Sequence, residues 1–314
     1  MSGTRQRRNW VVLEAESTPV GRVAARTIRA RLEAVWTELR AAVRGPVDAE
    51  SVHRLRVATR RTLAAFEAFA DLLPGKRTAW FSRRLRELRR VAGDARDLDV
   101  LTGRLAARPP TDAGLKSKAA AARGRLVAML ARQRDVSREP IRDLHDRLAA
   151  AGWEERVEEF LARIPSGSRQ PSFAAYAREC FAPLVDRFFA KADRRLRDDD
   201  DVHRLRIAGK KLRYALEIFA PVVPQRARAR CQDALERLQH VLGEFTDHAS
   251  AADRFQRLAR DGRTGLDQEA IDDLRRVEAA AAAEARKAFV RWWDRERRRD
   301  LRRTIERSIG RRSA

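Results

Sequence analysis

Strand-forming runs, cysteine, lysine and long apolar stretches are all scarce in this sequence. Only "WVVL", residues 10–13, has β-like character, and it reads equally well as part of an extended arm. The two cysteines, Cys180 and Cys231, have neither metal-ligand nor disulfide spacing, which points to a reducing, cytoplasmic compartment. No run of 18 apolar residues occurs, so no membrane-spanning helix is expected. The apolar stretch near the N-terminus is too short for a signal-peptide core. P-loop and zinc-ligand spacings are missing as well.

Positive charge is what the chain has in excess. Its 314 residues carry a formal net charge of +23, and 36% of them are charged against 44% hydrophobic. Of the 68 basic residues only seven are Lys, and the rest are Arg. The apolar fraction suffices for a core, but self-repulsion at this charge opposes compaction unless a polyanion offsets it. The candidate partners are nucleic acid, an anionic membrane surface or a phosphate polymer.

Apolar residues recur at spacings of three and four, the helical period. Breaks at Gly45-Pro46, Pro74-Gly75, Pro109-Pro110, Pro140, Pro165–Pro171 and Pro221–Pro224 divide the chain into long helices. They are expected near 19–44, 50–73, 76–107, 112–137, 140–163, 171–197, 200–220, 225–260 and 267–309.

"VHRLRVATRR" (52–61) returns as "VHRLRIAGKK" (202–211), an offset of 150 residues. Residues 52–69 and 202–219 share nine identities in eighteen positions. The same offset pairs Leu85/Leu235, Leu88/Leu238, Val91/Val241, Gly93/Gly243 and Asp97/Asp247 downstream, and Ala24/Ala174, Ala25/Ala175 and Val35/Val185 upstream. The expected fold is therefore all-α, a tandem duplication of a four-helix bundle with long antiparallel helices. The expected layout is a basic arm (1–17), a first helical repeat (18–139), a helical connector packed on the core (140–167), a second repeat (168–305) and a basic tail (306–314).

On a helical wheel the repeated segment has two faces. Leu55, Ala58, Thr62, Ala65, Phe66 and Phe69 form a core face, as do Leu205, Ala208, Leu212, Leu216 and Phe219. The opposite face carries a basic rail: His53, Arg56 and Arg60 in one copy, His203, Arg206, Lys210 and Arg213 in the other. Arg61 and Lys211 adjoin the rails. Arg83, Arg86 and Arg90 share a face of the following helix, with His240 as the second-copy counterpart of Arg90. A basic face alone is usually just solvated. Its retention in both copies favours an anion site, helped by the helix N-terminus beside the imidazole. Arg22, Arg26 and Arg29 lack basic counterparts and read as a solvated face.

These two segments, together with "AGDARDLDVL" (92–101) and "LRYALEIF" (212–219), resemble the CHAD domain, the conserved-histidine α-helical domain, over about residues 18–305. The resemblance implies two four-helix bundles related by pseudo-twofold symmetry, with basic residues lining a central cavity that binds inorganic polyphosphate. It also implies an association with polyphosphate granules. The candidate binding set, drawn from the rails, the Arg face of the following helix and the resemblance together, is His53, Arg56, Arg60, Arg61, Arg83, Arg86, Arg90, Arg96, His203, Arg206, Lys210, Lys211, Arg213 and His240. Two positions depart from the pattern: Leu63 stands opposite Arg213, and Thr246 opposite Arg96. "EAEST" (14–18) has two Glu but lacks the Lys of a Glu-x-Glu-x-Lys strand, so a stand-alone module is expected.

Polyphosphate has closely spaced charges and no base to read, and Arg forks match its oxygens. The aromatics occupy apolar helix positions except Tyr214, which stands beside the second rail; a base-stacking platform is not apparent. Asp198–Asp201 reads better as a helix N-terminal cap than as a metal site. No catalytic residue, metal or cofactor is assigned. The alternatives are a nucleic-acid-binding helical protein and a metal-dependent polyphosphate hydrolase; weak non-specific nucleic-acid binding accompanies the main reading. The sequence does not fix the oligomeric state or the setting of Trp292 and Trp293.

Overall fold

The computed structural model describes residues 11, 17–44, 49–107, 117–167, 169–193, 196, 198–261 and 268–308. Most of the expected N-terminal arm and C-terminal tail lies outside these residues. The described chain is all-α, apart from an isolated antiparallel bridge between Pro19 and Ser172. The helices are α1 (Val20–Arg44), α2 (Ala49–Ala68), α3 (Gly75–Ala107), α4 (Ser117–Val136), α5 (Glu139–Ala150) and α6 (Trp153–Leu161). They continue as α7 (Phe173–Ala192), α8 (Asp199–Ile218), α9 (Gln225–Asp261), α10 (Gln268–Trp292) and α11 (Arg295–Ser308).

Two expected helices are each split. The segment 140–163 breaks at Gly152, whose φ of 70° lies in the left-handed region that glycine adopts without steric cost. The segment 267–309 breaks after Trp292, where the Asp294 carboxylate accepts the Arg297 N–H at 2.8 Å and caps α11.

Matching elements recur along the chain. α2 and α8 start and stop 150 residues apart, as do the 3₁₀ turns Ala70–Leu72 and Ala220–Val222 and the starts of α3 and α9. For α1 and α7 the matching offset is 153, not 150. Val20, Val23, Ala24, Ile28, Leu32, Val35 and Leu39 are buried, and so are Phe173, Tyr176, Ala177, Phe181, Val185, Phe188 and Ala192. The upstream identities read at 150 are thus out of register by three residues, because such a shift keeps nearly the same helix face. The starts of α1 and α7 are joined by two backbone bonds, Val20 N–H to Pro171 O (3.0 Å) and Phe173 N–H to Thr18 O (2.9 Å).

Packing closes three sets of four helices. α1, α2, α3 and α5 form one, α7, α8, α9 and α11 the second. The region expected as a connector therefore supplies the fourth helix of the first bundle, through buried Ile141, Leu144 and Leu148. Leu301 and Ile305 occupy the same role on α11. The third set joins α4 and α10 to the far ends of α3 and α9 around Leu98, Leu101, Leu130, Phe255 and Leu258. The first two bundles share one continuous apolar core from Val20 to Ile305.

α2 and α8 meet where the first two bundles join. Arg61 grips Glu217 bidentately, Nε to Oε2 at 2.8 Å and Nη2 to Oε1 at 2.9 Å. Lys211 contacts Glu67 at 3.0 Å, the same pairing with copies exchanged. The two pairs differ in setting. The Glu217 side chain is 8% exposed and lies 3.6 Å from both Arg31 and Arg213, whereas that of Glu67 is 45% exposed. Glu217→Ala leaves buried arginines uncompensated and should cost about 3–5 kcal/mol of stability. Glu67→Ala should cost less than about 1 kcal/mol. Urea unfolding of the two variants measures the difference.

Candidate anion-binding site

The basic rails stand where helix geometry puts them, opposite the buried faces of their helices. On α2, burial of Leu55, Ala58, Thr62 and Ala65 leaves His53, Arg56 and Arg60 on the other side. On α8, burial of Leu205, Ala208, Leu212 and Ala215 does the same for Arg206 and Lys210. Tertiary packing then turns the rails toward one another. α2 packs on α3, α3 on α9, α9 on α8, and α8 on α2, so the four helices form a ring.

The electrostatics show how close the rails are. Lys210 is pushed down to about 7 by burial, and then by the positive charges of Arg206, Arg60, Arg56 and Arg213. Two of those arginines come from α2. Burial also lowers Arg56, with Arg60, Arg89 and Arg96 adding to the effect. Arg206 is lowered by burial and by Arg60. Among the described residues, Arg56, Arg60, Arg206 and Lys210 have no carboxylate within ion-pair distance. The Nε atoms of Arg60, Arg206 and Arg213 are buried without a hydrogen-bond acceptor. Only weaker, longer-range attraction comes from Asp97 on Arg56 and from Asp247 on Arg206, one acid in each half.

Arg56 is fixed by the neighbouring helix. Its Nη1 donates to the Arg89 carbonyl at 3.2 Å. A Cβ on Gly93 would stand 2.6 Å from that same Nη1, so glycine permits the guanidinium to lie against α3. Arg89 was not singled out in the sequence. The signal that could have found it is its spacing of four and seven from Gly93 and Arg96 on one helix face. The second half is built differently: Gln239, at the position matching Arg89, donates to the Arg206 carbonyl at 3.4 Å, and a Cβ on Gly243 would meet nothing.

The expected residues separate into groups. Arg56, Arg60, Arg206 and Lys210 come together at the centre. Arg96 reaches this cluster from α3 and, after burial, is the largest influence lowering His53. Arg213 stands at its edge, beside Glu217. Arg61 and Lys211 serve as cross-links to Glu217 and Glu67. His203 is exposed, unlike the half-buried His53. Arg83, Arg86 and Arg90 lie exposed on α3, and Arg86 lines a separate cleft of about 340 Å³ with Phe66 and Leu73. His240 is exposed and lies 3.7 Å from Glu244 on its own helix.

Other polar groups have local duties. Thr246 Oγ1 bonds the Leu242 carbonyl at 2.8 Å, within its own helix. Asp198 caps α8 by accepting the Asp201 N–H at 2.7 Å. His145 stacks on Trp36, and His248 contacts Glu278 at 2.6 Å. Tyr214, read beside the second rail, is buried beneath Arg213 and Arg61, whose guanidinium carbons lie 4.9 and 5.8 Å from its ring. Among the described residues no cluster of His, Cys, Asp and Glu is arranged to hold a metal ion. The arrangement supplies fixed positive charge and directed N–H donors, which suits the recognition of phosphate oxygens.

A family model described as the CHAD domain matches residues 26–256. The crystal structure of the CHAD domain from the plant Ricinus communis is similar, with a TM-score of 0.68 and 22% identity over 97% of this chain and 96% of that one. PptA from Streptomyces chartreusis has a TM-score of 0.59 and 21% identity, over 88% of this chain and 99% of its own. No curated protein matches.

Lys210 has a stability consequence. Its folded-state value lies below that of an unfolded lysine, so its charge opposes folding. The penalty is full below about pH 7 and fades as pH rises toward the unfolded value of about 10.4. Lys210→Met should therefore be more stable than wild type at pH 6, with the gap narrowing toward about pH 10. Chemical denaturation at several pH values measures it.

Proposed function

This chain belongs to the CHAD-domain family, and from that premise we propose that it binds inorganic polyphosphate, without catalysing a reaction, in the space ringed by α2, α3, α8 and α9. The observation that carries this reading is the group of four cations, Arg56, Arg60, Arg206 and Lys210, drawn from both halves and lacking carboxylate partners among the described residues. Held together without anions, they repel one another and lose hydration. A phosphate polymer relieves both costs, because each of its units carries charge and oxygen acceptors.

The two halves are copies of one ancestral helical unit, related by a local twofold axis between α2 and α8. Duplication lets two rails grip one polymer from opposite sides. The grip is uneven, because Arg89, Arg96 and the half-buried His53 belong to the first half. Binding of this kind recruits the protein to cytoplasmic polyphosphate granules or helps to organise them. Nucleic acid binds only weakly and without sequence preference, since Tyr214 beside the cluster is buried and offers no face for base stacking. The hydrolase reading has no comparable support: Asp198 caps α8, Asp201 pairs with Arg204 and Asp199 lies 3.5 Å from Arg286.

Competition between long-chain polyphosphate and duplex DNA across a salt series tests the proposal. Both should weaken with salt through counterion release. Polyphosphate should win at physiological salt, and equal affinity for duplex DNA would overturn the reading. Charge reversal of Arg56 and Arg206 together should abolish the preference while helicity persists.

Binding should also depend on pH with a defined sign. A bound polyanion raises the proton affinity of Lys210 and His53, so the complex holds more protons than the free protein. Affinity should fall as pH rises from about 6 to about 9. Lys210→Arg, whose charge is permanent, should flatten the part above about pH 7 and leave the part below, which belongs to His53.

A further inference from the structure

One line of residues on α3 continues past the basic ring. Ser82, Arg86, Arg89, Gly93 and Arg96 follow one another at intervals of four and three, a single stripe along the helix. Arg89 and Gly93 lie against Arg56, and Arg96 acts on His53. At Ser82, about 16 Å along the helix axis from Gly93, the stripe enters the cleft of about 340 Å³ beside the end of α2.

The second half carries neither feature at the matching place. Its stripe reads Gln232, Glu236, Gln239, Gly243 and Thr246, without a cation. The register is the same in both halves, since the Thr78 and Arg228 N–H groups bond the Pro74 and Pro224 carbonyls, each at 2.9 Å. Side chains of the second half cross the place of the cleft. Arg228, matching Thr78, donates to the Ala220 carbonyl at 3.2 Å, and Gln232, matching Ser82, donates to Glu236 at 2.9 Å. In the first half the smaller Thr78 and Ser82 leave that space open.

The open cleft holds polar groups without partners. Ser82 is 9% exposed, and its hydroxyl has no partner among the described residues. The Ser82 Oγ is not sealed from solvent, so a ligand in the cleft can reach it. Arg86 is exposed, and no carboxylate among the described residues lies within ion-pair distance of it. The adjacent acid, Glu87, is held by Arg84 and Arg147, each at 2.9 Å. α3 starts behind Pro74 with no acid in its first turn, so its N-terminal N–H groups add positive potential. The buried Phe66 and Leu73 wall the cleft, and an apolar wall strengthens a charged hydrogen bond.

We propose that this cleft holds the terminal phosphate of a polyphosphate chain whose body lies in the ring and runs out along Arg89 and Arg86. The inference rests on polyphosphate binding at the ring. An interior unit of the polymer has two free oxygens and one charge. A terminal unit has three free oxygens and, above about pH 6, a second charge. An unpaired Arg fork, a Ser hydroxyl and a helix N-terminus together suit that end unit better than an interior one. Because the stripe and the cleft belong to the first half, the chain end is held on that side alone.

Isothermal titration of the full chain compares two polyphosphates of one short, uniform length. One has free ends, and the other has its terminal phosphates blocked as alkyl phosphoramidates. Wild type should bind the free-ended polymer about tenfold more tightly, the low end for one hydrogen bond to a charged group. Ser82→Gln and Ser82→Gln/Arg86→Glu install residues that the second half already carries at these positions, and circular dichroism should show unchanged helicity. Ser82→Gln leaves the charge unaltered; it should shrink the preference for free ends and leave affinity for the blocked polymer as in wild type. The double variant should abolish the preference. The end site is overturned, with the ring reading intact, if wild type binds both polymers equally or if the double variant keeps the preference. If neither polymer binds wild type, the ring reading fails and the end site falls with it.

Discussion

Glu217 is where three helices of this protein converge. Its carboxylate is buried at the junction of the bundles and gathers Arg61 from α2, Arg31 from α1 and Arg213 from its own helix. Removing an ion from water is expensive, and only close pairing with hydrogen bonds offsets that cost. The bidentate Arg61 contact meets this requirement, and in doing so it sets the spacing of α2 and α8. Everything at the basic ring depends on that spacing. Were the helices farther apart, Arg60 would no longer face Arg206 and Lys210.

The same junction shows how one carboxylate can hold a fold together while neighbouring cations are left unpaired. Arg61 and Lys211 each have an acid from the opposite half. One residue earlier, Arg60 and Lys210 have none among the described residues. A step of one residue turns a helix by 100°, enough to move a side chain from the junction into the ring. Paired and unpaired cations thus sit side by side in sequence but on different faces. The ring accepts a standing cost in repulsion and desolvation, visible in the low proton affinity of Lys210, and the core shared by both bundles is large enough to carry it.

Much of this was legible in the sequence, and the misreadings have physical causes. The repeated helix, its two faces and the central residues His53, Arg56, Arg60, Arg206 and Lys210 follow from spacing alone. The register of α1 against α7 did not, because a three-residue slip keeps alanines on nearly the same face. The fourth helix of each bundle was hidden for a related reason: nothing local distinguishes a connector from a bundle member, and α5 is short and bounded by a glycine break. Arg89 escaped notice because part of its role is played by its backbone carbonyl, which has no sequence signature. Arg83, Arg86 and Arg90 share a periodic face on the wheel, yet that face points to solvent.

Local chemistry is what the sequence determined by itself. It specified helices, their faces, the cap at Asp198, and an excess of positive charge repeated in two segments, because these depend on neighbours within a few residues. Which charges would be paired and which left bare was decided only by tertiary structure. Arg60 and Arg61 are chemically identical neighbours, and so are Lys210 and Lys211. Their different fates come from carboxylates more than a hundred residues away, and from burial, which raises the cost of an unpaired charge. Both are properties of the packed chain alone.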